Sequence, residues 1–484
     1  MNAEYDVVIV GAGLSGICAA HYYQTAFPEG RYAVLEAREA LGGTWDLFRY
    51  PGIRSDSDMY TLGFSFRPWR DPQAIADGPS ILAYLQETAR DEGIDEHIVY
   101  RSRVVAADWS SADARWTLTV EGPEGSRTLT CGFLWTATGY YRYDRGYTPE
   151  FAGRDDFEGP IVHPQHWPDD LEVDGKRIVV IGSGATAVTL VPELAKAGGR
   201  VTMLQRTPTY VVALPREDVV ANRLRAVLPA RLAHRLVRWK NIGWSMFYYQ
   251  YCQAWPDRAR RLIKDEIAKA LVDAPEPIDV ETHFDPPYAP WDQRLCLVPE
   301  GDLFEVLASG QVELVTDTIE RFTAGGVRLD SGRELEADLV ITATGLQLQF
   351  LGGAAISLDG EPVDFSQHRI YRGVMLDGIP NTAFLMGYTN ASWTLKCELA
   401  SRYVIRLLTH MRDRGLRQVQ ATPDEGAVAS RPAVDLTSGY VVRSLHELPT
   451  QGSRTPWRLH QNYVLDHFAY RFSRLDDGVL TFAE

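Results

Sequence analysis

Cysteine is scarce in this chain: five in 484 residues (Cys18, Cys131, Cys252, Cys296, Cys397), none in a C-x-x-C pair. That spacing excludes zinc ribbons and dithiol redox centres and fits a reducing compartment. Positive charge is also in deficit. Lys and Arg number 49 against 64 Asp and Glu, a net charge of −15, and this argues against nucleic acid as a partner, because neutralising phosphates needs a basic face. There is no run of about 18 apolar residues, so no membrane-spanning helix is expected. The opening "MNAEYDVVIV" has no basic stretch followed by a long apolar one, so no secretion signal is expected. His163 and His166 stand near each other without further ligands, so no metal site is expected. What remains, 45% hydrophobic and 23% charged, is an ordinary globular composition. The length accommodates two or three domains, and the expectation is a soluble cytoplasmic protein.

Glycine, by contrast, is placed with care. In "YDVVIVGAGLSGICAAHYYQTA" a short apolar run meets Gly11, Gly13 and Gly16 and then a helical pattern; a second apolar run ends at Glu36. This is a βαβ unit carrying G-x-G-x-x-G. The first glycine makes the tight turn, the second admits a pyrophosphate to the backbone, and the third lets helix and strand pack closely. Free N–H groups at the helix start hold the anion, and a carboxylate at the position of Glu36 accepts hydrogen bonds from ribose hydroxyls. "KRIVVIGSGATAVTLVPELAKAGGRVTMLQRTP" repeats the unit with Gly182, Gly184 and Ala187, and its second strand ends on Arg206. A guanidinium there favours the 2′-phosphate of NADP over NAD; the alternative is a surface arginine on a loop. Two complete units in one chain imply two dinucleotides.

Two further fragments, "FLWTATGYY" (133–141) and "LVITATGLQ" (339–347), each read as a buried strand ending at Ala-Thr-Gly. Small residues at a strand end let a dinucleotide or a crossing backbone come close. Their positions predict an α/β fold of two Rossmann-like domains, the second inserted into the first, with the chain crossing the boundary twice. Residues 216–290, rich in arginine and aromatics, form a helical insertion. It suits a cap over a substrate pocket or a basic amphipathic surface against an anionic membrane, and the two are compatible.

After the first unit comes "LGGTWDLFRYPGIRSDSDMYTLGFSF" (41–66). Gly42, Gly43 and Thr44 permit close approach to a cofactor, and Trp45 offers a flat apolar wall. Arg54, Asp56 and Asp58 fall in a turn expected to face it. No redox cysteine pair occurs here, so if the bound group is a flavin, its electrons pass to dioxygen.

These words together resemble the class B flavoprotein monooxygenases, and among them the type I Baeyer–Villiger monooxygenases. In "FEGPIVHPQHWP", Phe157, Gly159, His163, Trp167 and Pro168 match that family's fingerprint position for position. "APWDQRLCLVP" and "GYTNASWTLK" bring the chain nearest the ethionamide-activating subgroup. The resemblance implies FAD and NADPH as cofactors. It divides the chain into an FAD domain (1–145 and 347–484), an NADP domain (146–215 and 291–346) and the helical insertion (216–290). It further implies that a C4a-peroxyflavin converts a ketone to an ester or lactone and also oxidises sulfides, with O2 as co-substrate. Arg294 occupies the position of the family's active-site arginine, and Asp56 that of the carboxylate orienting it; the alternatives are a boundary ion pair and a turn residue. Trp393 matches a pocket-facing tryptophan; otherwise it is an ordinary core residue. His163 is expected to act structurally or as a relay at the domain interface, rather than in direct acid–base catalysis. A monooxygenase acting mainly on sulfur or nitrogen, an NADPH oxidase releasing hydrogen peroxide, and a redox-sensing NADP-binding protein are the competing readings.

Overall fold

Strands buried on both faces need continuous apolar runs, and helix-linked strands run parallel; both glycine-bearing units obey this. In the computed structural model, which describes residues 3–422, 431–434 and 436–484, β1 (Ala3–Val10) leads through Gly11 into α1 (Leu14–Ala26) and returns as β2 (Tyr32–Leu35). The two strands pair in parallel, Val7 opposite Tyr32 and Val10 opposite Leu35. On the other side of β1 lies β3 (Gly125–Thr136), also parallel to it and delivered by an antiparallel meander.

The chain then leaves for a second sheet. β4 (Ile161–Val162), β5 (Arg177–Ile181), α2 (Ala185–Lys196) and β6 (Arg200–Gln205) begin it. Two long helices follow, α3 (Ala230–Ala254) and α4 (Pro256–Ala270), before β7 (Val312–Thr316) and β8 (Leu339–Thr342) complete it. The order is β7-β6-β5-β8-β4, parallel throughout. Finally the chain comes home: β9 (Thr382–Phe384) pairs with β3, α5 (Trp393–Arg414) shares an apolar core with α1, and α6 (Tyr463–Phe472) packs beside it. The second Rossmann-like body is thus inserted into the first, as the two Ala-Thr-Gly fragments predict.

The two crossings run side by side. Tyr141 and Leu348 form an antiparallel bridge. Arg142 N–H donates to the Gln347 carbonyl, Gln349 N–H to that of Tyr140, and Tyr147 N–H to that of Gly345, at 2.9, 2.9 and 3.0 Å. The domains are therefore joined by a two-stranded ribbon.

The insertion is helical, but its helices do not cap the cavity described below: of residues 216–290 only Tyr288, beyond the last helix, lines it. Its buried apolar residues are committed elsewhere: Val237 and Ile242 to the first domain's core, Ile263, Ile267 and Leu271 to the second's. Arg238 pins it, donating to the carbonyls of Tyr60 and Gly63 at 2.8 and 2.7 Å and pairing with Glu398 at 2.8 Å.

Candidate active site

Each glycine turn closes against the Ala-Thr-Gly strand end of its own sheet. Gly11 has φ +103° and a Cβ there would lie 2.8 Å from the Ala137 carbonyl; at Gly182 (φ +138°) it would lie 2.3 Å from that of Ala343. The amides match too, Gly11 N–H donating to Leu35 O and Gly182 N–H to Leu204 O, both at 2.8 Å. The strand ends are thus the crossing backbone. Behind the turns, Gly16 and the fully buried Ala187 serve helix–strand packing, a Cβ on Gly16 falling 1.8 Å from the Gly11 carbonyl. Glu36 stands at the end of β2 and is anchored, one carboxylate oxygen accepting Ala12 N–H at 2.7 Å and the other Arg38 N–H at 2.9 Å.

Between the two turns lies a cavity of about 1160 Å³. Its walls bring together Gly11, Gly13, Glu36, Gly43, Thr44 and Trp45 from the first domain and Gly182, Gly184 and Arg206 from the second. Asp56, Arg294 and Trp393 line it as well. The starts of α1 and α2 have no side-chain cap, whereas Asp58, Asp77, Asp218, Asp279 and Asn462 cap other helices. Uncapped N–H groups at a glycine turn form an anion site, and here two of them face one cavity.

Arg294 sits on the loop before the strand Cys296–Pro299, and its guanidinium lies 3.5 Å from the Asp56 carboxylate. Asp56 first of all, against the cost of burial, raises the arginine's pKa further above its ordinary value, so the charge is permanent. Three phenols surround it: Tyr140, Tyr141 and Tyr440, each raised by burial first and therefore protonated. The Tyr140 and Tyr141 hydroxyls are 3.1 Å apart. Tyr140 also meets the Trp393 ring at 5.0 Å, while the Trp393 indole N–H donates to Ser15 Oγ at 2.8 Å. Cys296 lines the same wall, but burial pushes its thiol up to about 12, which leaves it protonated and inert as a nucleophile.

The fingerprint residues stand outside the walls. Phe157 packs edge-on against Phe322 at 6.1 Å, and Gly159 is hemmed in, a Cβ there lying 2.7 Å from the Asp338 carbonyl. Trp167 and Pro168 are half-buried. His163 Nε2–H donates to the Gly345 carbonyl at 3.1 Å, and its Nδ1 accepts Gln165 N–H at 3.1 Å. Those partners fix the neutral tautomer, and burial lowers the ring's pKa. Gln165 donates to the carbonyls of Arg142 and Tyr143 at 2.8 and 3.0 Å, so this segment clamps the ribbon.

Of the acidic and basic residues near Asp56, Arg54 turns to another partner, Asp302, at 2.5 and 3.2 Å, and Asp58 caps the helix Met59–Leu62. Sequence reasoning missed the phenols. "GYYRY" directly after the first Ala-Thr-Gly was the available signal for Tyr140 and Tyr141; Tyr440 had none.

A family model described as flavin-binding monooxygenase-like matches residues 5–243. The FAD-containing monooxygenase EthA of Mycobacterium tuberculosis (strain ATCC 25618 / H37Rv) is 56% identical over 100% of this chain and 99% of its own length. A probable FAD-binding monooxygenase, AlmA of Acinetobacter baylyi, is 45% identical over 100% of this chain and 97% of its own. Among solved structures, oxidized steroid monooxygenase bound to NADP superposes with a TM-score of 0.78 at 23% identity, each chain covered in full, a likeness of fold. With FAD-containing monooxygenases this similar along its whole length, the chain belongs to the class B flavoprotein monooxygenases that its sequence resembles.

Proposed function

We propose that this flavoprotein monooxygenase is an NADPH-dependent Baeyer–Villiger enzyme, inserting one atom of O2 beside a ketone carbonyl to give an ester or lactone, and oxidising sulfides at the same site. The observation that carries the reading is the Asp56–Arg294 pair in a cavity walled by both glycine turns. The two uncapped helix starts suit two pyrophosphates. FAD fits the first, with Gly11, Gly13, Gly43, Thr44 and Trp45 around it and Glu36 for the ribose. NADPH fits the second, with Gly182, Gly184 and Arg206. When bound, these cofactors supply the electrons that activate O2.

The chain's own residues do the rest. Asp56 holds Arg294, whose fixed positive charge stabilises negative charge developing on the substrate oxygen. Trp393 and Tyr140 wall off water, which protects a reactive oxygen species from loss. His163, neutral and with both ring nitrogens engaged, takes no part in proton transfer and holds Gly345 in place.

The test is oxygenation of a linear ketone, a cyclic ketone and an aryl sulfide, with product analysis and NADPH compared with NADH. Esters or lactones from the ketones are expected. Stoichiometric hydrogen peroxide with every substrate would make the protein an oxidase, and sulfoxide as the sole product would assign it to sulfur chemistry.

A further inference from the structure

The acidic balance of the chain is reversed over one stretch. Residues 219–256 hold six cations (Arg223, Arg225, Arg231, Arg235, Arg238, Lys240) and no Asp or Glu, in a chain of net charge −15. The same stretch exposes large apolar side chains. On α3, Leu232, Leu236, Trp239 and Phe247 recur on one face, with Trp239 47% and Phe247 59% exposed and Trp244 beside them. Helix α6 continues the face with Leu465, Phe468 and Phe472, the last 66% exposed. The helices touch where the Trp239 ring meets Tyr463 at 5.6 Å.

Neither helix needs this face to fold. The opposite side of α3 carries Val237, Ile242 and Arg238 into the first domain. Some of the cations are also committed: Lys240 pairs with Asp218, and Arg225 donates to the carbonyls of Arg70 and Asp71. Arg231 and Arg235 on α3 and Arg471 on α6 remain exposed, with no acidic partner among the described residues. The one acid of α6, Asp466, is buried against Lys396. Aromatic and aliphatic side chains flanked by arginine, with no exposed acid, are the composition of a helix lying in the headgroup layer of a membrane. A second copy seated on the same face would bring Arg231 and Arg235 no exposed acid of α3 or α6 to pair with. No helix of the described residues is long and apolar enough to cross a membrane, so contact would be from one side.

We propose that the joint α3–α6 face docks the protein onto a bilayer bearing anionic headgroups. A small crevice lined by Met246, Asn390, Ala391, Gln461 and Tyr463 separates this face from the start of α5, where Trp393 reaches the cavity.

The test is flotation of the FAD-loaded full chain with phosphatidylcholine vesicles, with and without phosphatidylglycerol. Binding is expected to the anionic vesicles and to fall with salt, with a blue shift of tryptophan emission and quenching by brominated lipid. Arg231→Gln with Arg235→Gln lowers affinity about thirtyfold, two cations' worth of attraction. Trp239→Glu abolishes binding while NADPH oxidation persists; should that variant lose its flavin, Phe472→Glu, further from the helix contact, tests the same face. Failure to bind either vesicle, or binding that ignores lipid charge and both arginines, overturns the proposal. So does a lipid-independent dimer, by light scattering, that dissolves on Phe472→Glu.

Discussion

Arg294 draws its use from its neighbours. A guanidinium 3.5 Å from Asp56, with three protonated phenols nearby, is a fixed charge on the cavity wall, and such charges count most once a bound ligand excludes water from around them. Replacing it with alanine is expected to lower ester formation about 100- to 1000-fold and leave reduction of bound FAD by NADPH intact; product analysis beside stopped-flow absorbance separates the two. Asp56→Asn, which keeps the shape and loses the charge, should fall in the same direction by less. Normal oxygenation by the Arg294→Ala variant would remove it from the chemistry. Arg54 and Asp302 make a different kind of pair, 9% and 6% exposed and joining the two domains. Asp302→Ala leaves a buried guanidinium without its acid, at a cost of about 3 kcal/mol, readable as a lower thermal midpoint. Both pairs join residues more than two hundred positions apart. Sequence words located Asp56 and Arg294 because family positions carry them, whereas nothing local distinguishes Arg54 from a surface arginine.

At the scale of elements, legibility followed locality. A glycine turn between a strand and a helix is written within about twenty residues, so both turns, the packing roles of Gly16 and Ala187, and the place of Glu36 at the end of the second strand could be read directly. Gly16→Ala forces a methyl to 1.8 Å from the Gly11 carbonyl; it should yield protein with little FAD, measured by flavin absorbance against protein. The helical insertion was legible as helix and illegible in its placement, since which face of α3 is buried depends on distant Tyr60, Gly63 and Glu398. That burial also sets a pH response. His234, on the inner side of α3, is pushed down to about 4 from an ordinary 6.5 by burial and by Arg238. Below 6.5 the unfolded chain takes up a proton that the folded one refuses. Stability is therefore full above about 6.5 and lost as pH falls toward 4, by about 1.4 kcal/mol per unit. His234→Leu should flatten the fall of the thermal midpoint between pH 7 and pH 5; an unchanged slope would assign it to other groups.

For the whole molecule, the two-domain insertion was predictable because each domain announces itself with its own glycine turn and each crossing with Ala-Thr-Gly. Under the proposed function, the separation of duties between cofactors falls to Arg206, exposed at the cavity rim. Arg206→Gln should weaken NADPH relative to NADH about 10- to 100-fold, the worth of a charge-assisted hydrogen bond to phosphate, seen in the ratio of kcat/KM for the two; an unchanged ratio would make it an ordinary surface arginine. The ribbon between the domains could not be foreseen, since antiparallel pairing of residues 140–147 with 345–349 depends on both crossings meeting in space. Its consequence is mechanical. Two linkers bonded edge to edge resist splaying and sliding, as a strap does in its own plane, and yield most readily to torsion. With His163 and Gln165 gripping that strap at Gly345, Arg142 and Tyr143, the two linkers are held as one unit beside the cavity wall that Tyr140 and Tyr141 form.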